Sequence, residues 1–223
     1  KQLSQKIGYN DYSVEAIDYL KKTDASFYRV NKDYSSGPAI HSSINDSKVQ
    51  GYYGTSSYNS FNQKYYIKFL GDLSVINVED ENSTRWAKGL VDRPVLFSLA
   101  SGKYWLSKRT DNAVAGMGYD SVATFGDVKV YKNRYALPFG FTYKQTISSD
   151  EFKKLSPSQK DFCILRACVI EAEDKSFAAA LPKFKLADTL APFDFASYEK
   201  YTTELKKESF TVTKFSENNI TGT

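Results

Sequence analysis

The sequence has one histidine, His41, one methionine, Met117, and two cysteines, Cys163 and Cys168. With so little histidine and no Cys-x-x-Cys pair, zinc and iron centres lack ligands. The acidic run Glu79-Asp80-Glu81 lacks the DxDxDG spacing of a calcium loop and reads as a solvated turn. No metal and no cofactor are expected. The cysteines do not make a disulfide framework. They fall in a segment that reads as one helix, where their side chains would point about 140° apart. A nucleophile needs a base beside it. His41 lies in a polar loop with no partner visible in the sequence, so it reads as a surface histidine. GxSxG, Walker and GxGxxG loops are absent. A secretory leader is absent, as is any apolar run near the roughly 18–20 residues of a membrane span. The chain opens KQLSQKIGYN and closes ENNITGT, and both ends read as cut from a longer protein.

What is present is ordinary globular material with an excess of tyrosine. The 223 residues are 41% hydrophobic and 25% charged, enough for one large domain or two small ones. Aromatics are 15% of the chain, with 17 tyrosines. The net charge of +4 is spread too evenly for a nucleic-acid footprint, so no nucleic-acid partner is expected.

Ser13 reads as an N-cap, followed by Val14, Ile17 and Leu20 at helical spacing, so the pattern predicts a helix over 14–22. Residues 26–32 alternate as a strand, and 33–47 read as loop around Gly37-Pro38. In 60–70, Phe61, Tyr65 and Phe69 recur at four-residue steps, and Leu70 and Leu73 widen that face into a helix. Residues 93–101 read as a short buried helix with Pro94 in its first turn. A strand is expected over 103–109 and a loop over 111–118. Residues 119–133 read as two strands meeting at Gly126-Asp127. Residues 135–144 form an extended run, with Pro138 at an edge or bulge. Residues 148–173 read as helical, with Ser149 and Ser156 as N-caps and Phe162, Leu165, Val169 and Ile170 as the apolar face. Residues 174–209 are ambiguous. Residues 208–223 read as a strand, a turn and the start of another strand. The expected fold is α+β: a mixed or antiparallel sheet from strands near 26–32, 103–109, 119–133 and 137–144, covered by helices near 14–22, 60–70 and 149–170.

The positive functional signal is aromatic. Tyr52, Tyr53 and Tyr58 stand with Asn59, Asn62, Tyr65 and Tyr66, and Arg85-Trp86 follows nearby. Sugar recognition sets aromatic faces against C–H surfaces and amides or charges against hydroxyls, and these are the right residue types. The alternative is that the tyrosines pack a loop and helix onto a sheet. Glycoside hydrolysis needs two carboxylates in one cleft, and 26 acidic residues do not single out a pair.

Several strings resemble the YfhO family. NDSKVQGYYGTSSYNSFNQKYYIKFL (45–70), RPVLFSLASGKYWLSK (93–108) and VYKNRYALPFGF (130–141) carry the resemblance, with SFYRV (26–30) and FSENNITGT (215–223) in the same order. The resemblance implies an extracellular region of a large multi-span bacterial membrane protein, of a kind common in Gram-positive bacteria. It implies similarity to lipid-linked-sugar glycosyltransferases that modify envelope polymers such as lipoteichoic acid, with a polyprenyl-phosphate sugar as donor. Catalytic acids in such enzymes lie among the spans, so no catalytic residue is assigned to this chain. The expected organisation is an α+β domain over 1–209, helix-rich from about 146, and the start of a truncated β-rich module over 210–223. The expected role is a non-catalytic accessory domain at the outer face of the cell membrane. Its partners would be the membrane-embedded part of the same polypeptide and an envelope glycopolymer. A carbohydrate-binding or adhesion domain, a glycan hydrolase and a purely structural domain are the competing readings.

Overall fold

The computed structural model describes residues 6–37, 44–58, 61–87, 89–90, 93–111, 113–174, 180–190, 193–216 and 218–223. His41 and Asn59 lie outside the described residues. The chain divides into two compact units: residues 1–61 with 85–136, and residues 62–84 with 137–223.

Unit 1 is built on a four-stranded sheet. Its order is β1 (Arg29–Lys32), β4 (Gly102–Ser107), β6 (Val128–Asn133) and β5 (Tyr119–Phe125). β1 runs parallel to β4, and the other neighbours are antiparallel, so the sheet is mixed and the α+β expectation holds. β5 and β6 meet at Gly126-Asp127 as expected, with Gly126 at φ +54, a left-handed turn position. A further antiparallel pair, β2 (Ser57–Tyr58) and β3 (Trp86–Ala87), stands apart from this sheet.

Helix α1 (Ser13–Thr23) lays Ala16, Ile17 and Leu20 against Val30, Tyr104, Leu106, Val128 and Val130. Its N-cap is Tyr12, not Ser13. Asp11 takes the capping task, accepting the Ser13 N–H at 3.0 Å, while the Ser13 hydroxyl meets Tyr34 Oη at 2.5 Å. β1 begins three residues later than the alternation predicts. Asp24 Oδ1 accepts both the N–H and the hydroxyl of Ser26, bending the chain before it can join the ladder. Helix α2 (Asp46–Gln50) begins inside the stretch read as loop and ends the loop there. Helix α5 (Pro94–Leu99) buries Val95, Leu96 and Phe97 and starts at its proline, as expected. Helix α6 (Ala113–Gly116) adds one turn to the predicted 111–118 loop, started by Asp111, which accepts the Ala113 N–H.

Unit 2 departs further from the sequence pattern. Helix α3 (Lys64–Asp72) starts four residues after the expected 60, because Gln63 caps it by accepting the Tyr66 N–H at 2.6 Å. Its anticipated apolar face divides: Leu70 and Leu73 are buried as expected, whereas Tyr65 is 72% exposed and Phe69 43%. The acidic run read as a turn leads into helix α4 (Glu81–Arg85): Glu79 lies in a turn, and Asp80 just before the helix accepts the N–H groups of Asn82 and Ser83.

The predicted long helix over 148–173 is three elements: α7 (Ser149–Lys153), α8 (Pro157–Ile164) and β9 (Cys168–Ile170). Ser148, not Ser149, caps α7, accepting the Glu151 N–H. Ser156 caps α8 as expected, in a reciprocal box with Gln159. The helix ends where the N–H groups of both Arg166 and Ala167 turn back to the Cys163 carbonyl. Val169 and Ile170, both β-branched, then pair in parallel with β8 (Thr146–Ser148). Cys163 and Cys168 therefore lie on different elements, and both are free thiols.

The run over 135–144 does not join the central sheet. Only β7 (Gly140–Phe141) is a strand, paired with β10 (Ser209–Phe210). Pro138 has no N–H to donate, which stops the ladder from extending back along the run. The ambiguous 174–209 region holds helix α9 (Phe195–Lys207), capped by Asp194 and burying Tyr198, Thr202 and Leu205. β11 (Val212–Ser216) and β12 (Asn219–Gly222) pair as a hairpin, matching the predicted strand, turn and strand.

Candidate functional site

Unit 1 contains a cleft of about 280 Å³, walled chiefly by Phe27, Tyr28, Tyr52 and Tyr53, with Lys21 and Asp24 supplying its charges. Two of the sequence-singled tyrosines therefore share a cavity. Their positions follow from α2. Its first residue, Asp46, forms an ion pair of 2.5 Å with Lys32 of β1, and both side chains are 3% exposed. Its last turn closes at Gly51, φ +68, where an added Cβ would sit 3.4 Å from Lys21 Nζ. The chain then runs directly to Tyr52 and Tyr53. The Tyr53 carbonyl accepts the Val30 N–H at 2.8 Å, pinning the loop to the edge strand.

The two rings do different jobs. Tyr52 is half-buried against the sheet core, and burial, with Asp46 and Asp11 adding to it, holds its hydroxyl above the usual phenol range. Tyr53 is 57% exposed and packs on Phe27 with ring centroids 5.2 Å apart. Tyr28 meets Tyr104 edge-on at 5.0 Å.

The cleft carboxylate is fully occupied. Burial alone would raise the Asp24 pKa, but Lys103, Ser26 and Tyr104 hydrogen-bond to the anion and hold it well below the usual range. Lys103 Nζ is 2.5 Å away and the Tyr104 hydroxyl 2.7 Å. Asp24 is therefore a fixed anion and cannot deliver a proton. Lys21 is different: among the described residues it makes no ion pair and no side-chain hydrogen bond. The cleft thus offers aromatic faces and one unpaired ammonium. Lys21, Asp24, Phe27 and Tyr28 are absent from the sequence-derived set. The sequence reads Lys21 only as a cation suited to a helix C-terminus and Phe27-Tyr28 only as strand residues.

The remaining candidates lie elsewhere. Tyr58 and Trp86 face each other across β2 and β3 with centroids 4.5 Å apart, and Trp86 is 42% exposed. Arg85 is exposed beside Trp86 in sequence. Asn62 belongs to unit 2, where its side-chain N–H donates to the Thr84 carbonyl. Tyr65 is exposed on α3 and Tyr66 half-buried.

Glycoside hydrolysis needs one carboxyl kept protonated. The unit 1 cleft holds a single carboxylate, already spent. In unit 2, Asp72 and Glu171 approach the same Lys68 ammonium, which holds Glu171 below its ordinary range. Among the described residues no group of three His, Cys, Asp or Glu side chains is arranged to hold a metal ion.

Among the described residues no helix is long and apolar enough to cross a membrane. The chain nonetheless belongs to a family of bacterial membrane proteins, the YfhO family: residues 2–223 match the description Bacterial membrane protein YfhO. A relative from Bacillus subtilis (strain 168), named Uncharacterized protein YfhO, is 29% identical over 123 residues. That match covers 55% of this chain and 14% of the relative's length. No solved structure matches the chain.

Proposed function

We propose that this chain is a non-catalytic accessory domain on the extracellular face of a membrane glycosyltransferase, and that its unit 1 cleft holds a polymeric envelope acceptor of the lipoteichoic-acid type. The membrane-embedded part of the same polypeptide carries the chemistry, with a polyprenyl-phosphate sugar as donor. The observation behind the acceptor assignment is the unpaired Lys21 ammonium in a cleft walled by Phe27, Tyr52 and Tyr53. Aromatic faces suit sugar C–H surfaces, and an unpaired cation suits a phosphodiester. Membership of a membrane-protein family supports the membrane setting.

Titration of the chain with a glycerol-phosphate polymer tests this. Tyr53→Ala weakens binding by about 1–3 kcal/mol, the loss of one aromatic contact, with folding stability little changed. Lys21→Gln weakens binding and flattens its salt dependence, because one screened ion pair is gone. Equal binding by wild type and both variants would sink the assignment. So would turnover of polymer or lipid-linked sugar by the chain alone that vanishes with one Asp or Glu substitution.

A further inference from the structure

Unit 2 holds a second cleft that the glycopolymer reading does not use. Its volume is about 390 Å³, within the range of small-molecule sites. The walls are apolar, with Phe69, Leu73, Tyr143, Phe152 and Val169 among them. Its charged groups are three: Lys68, Asp72 and Glu171. The Tyr143 hydroxyl does not reach in as a free group, because it donates to the Ile164 carbonyl at 2.7 Å.

The rim charges are mutually satisfied. Lys68 Nζ lies 2.8 Å from Asp72 Oδ2 and 2.5 Å from Glu171 Oε1, and Lys153 Nζ lies 3.9 Å from Asp72 Oδ1. Two ammonium groups therefore offset two carboxylates. A charged head of either sign would have to break one of these pairs. A hydroxyl can accept from Lys68 or donate to a carboxylate without breaking any. The apolar walls leave no partners for the many hydroxyls of a sugar chain, but they match methylene groups. The exposed Tyr65 and Phe69 line the same cleft and extend its apolar surface toward solvent.

We propose that this cleft binds a single neutral amphiphile, with an aliphatic chain against the apolar walls and a hydroxyl-bearing head at Lys68, Asp72 and Glu171. Cys168 supplies a built-in reporter. It lines the cleft and is half-buried, whereas Cys163 is 0% exposed. Labelling by a small neutral disulfide reagent therefore reads Cys168.

The probe is monomeric 1-O-decylglycerol, with decyltrimethylammonium and decyl sulfate as charged controls. At about ten times its dissociation constant, decylglycerol slows labelling about tenfold by mass action, and the charged controls slow it less than about twofold. Phe69→Ser, a half-exposed position, removes the protection while circular dichroism stays native. A second arm uses phosphatidylcholine vesicles with and without diacylglycerol. Protection there identifies a bilayer lipid as the source, and protection by the monomer alone identifies a soluble amphiphile. No protection of folded wild type by either form overturns the proposal. Equal protection by all three decyl probes overturns the neutral head, and undiminished protection in folded Phe69→Ser overturns the cleft as the site.

Discussion

The buried Lys32–Asp46 pair gives the most direct test of how unit 1 is held. Asp46→Ala removes the carboxylate 2.5 Å from Lys32 Nζ and the acceptor of the Ser36 N–H. The ammonium is left buried, with Ser36 Oγ at 2.6 Å, Gln50 Oε1 at 2.8 Å and the Tyr34 ring face as its remaining direct contacts among the described residues. Breaking one side of a buried pair costs about 3–5 kcal/mol, a large part of the 5–15 kcal/mol that typically separates folded from unfolded. Burial already lowers the Lys32 pKa, against the opposing pull of Asp46. Without Asp46 the folded-state value falls further, while the unfolded value stays near 10.4. Between those two values the unfolded chain binds more protons than the folded one, so the variant regains stability as pH rises through that window. Urea denaturation followed by far-ultraviolet circular dichroism, at neutral and alkaline pH, measures both effects, with an unchanged slope in denaturant as the check on two-state behaviour. The double variant Lys32→Met with Asp46→Leu recovers most of the loss, because two apolar groups need no partner. A loss below about 1 kcal/mol for Asp46→Ala, or one flat in pH, refutes the account.

Three further variants test the same unit. The Asp24 anion is stabilised by folding, so its contribution is present above the unfolded carboxylate value of about 3.9 and fades as pH falls below it. Asp24→Asn loses about 1–3 kcal/mol at neutral pH and flattens the acid limb of a plot of Tm against pH, and an unchanged acid limb contradicts the assignment. Gly126→Ala costs about 1–3 kcal/mol, because φ is positive and the Tyr12 ring occupies the space of the new Cβ. Gly116→Ala, with open space around it, stays within about 0.5 kcal/mol in the same chemical-denaturation assay.

The sequence discloses elements whose signals are local. The β5–β6 hairpin is written in alternation around Gly126-Asp127, the start of α5 in Pro94, and the cap of α8 in Ser156 with Gln159. It misleads where a distant partner decides. The sequence groups Phe61, Tyr65 and Phe69 with Leu70 and Leu73 on one buried face, yet only the two leucines are buried and the aromatics stay exposed. The apolar positions of 162–170 are compatible with one helix, yet pairing with β8 draws Cys168–Ile170 into a strand. The candidate site shows the same division. Tyr52 and Tyr53 announce themselves by residue type, whereas Lys21 and Asp24 reach the cleft only because α1 ends beside the turn at Gly51. A lysine assigned to a helix end carries no sequence mark that it lacks a counter-ion.

The β2–β3 pair has a consequence for how the chain is made. Tyr58 and Trp86 sit opposite one another in unit 1, yet the sequence between them includes residues 62–84, which belong to unit 2. During synthesis, residues 62–84 emerge before the second half of unit 1. Unit 1 has all its residues once Ala136 appears, but Leu70 and Leu73 belong to a unit whose other part, residues 137–223, has yet to emerge. For that interval Leu70 and Leu73 lack the larger part of their unit, a state in which apolar surface is open to association with other chains. A two-residue turn joining Tyr58 to Trp86 would leave unit 1 as one uninterrupted polypeptide.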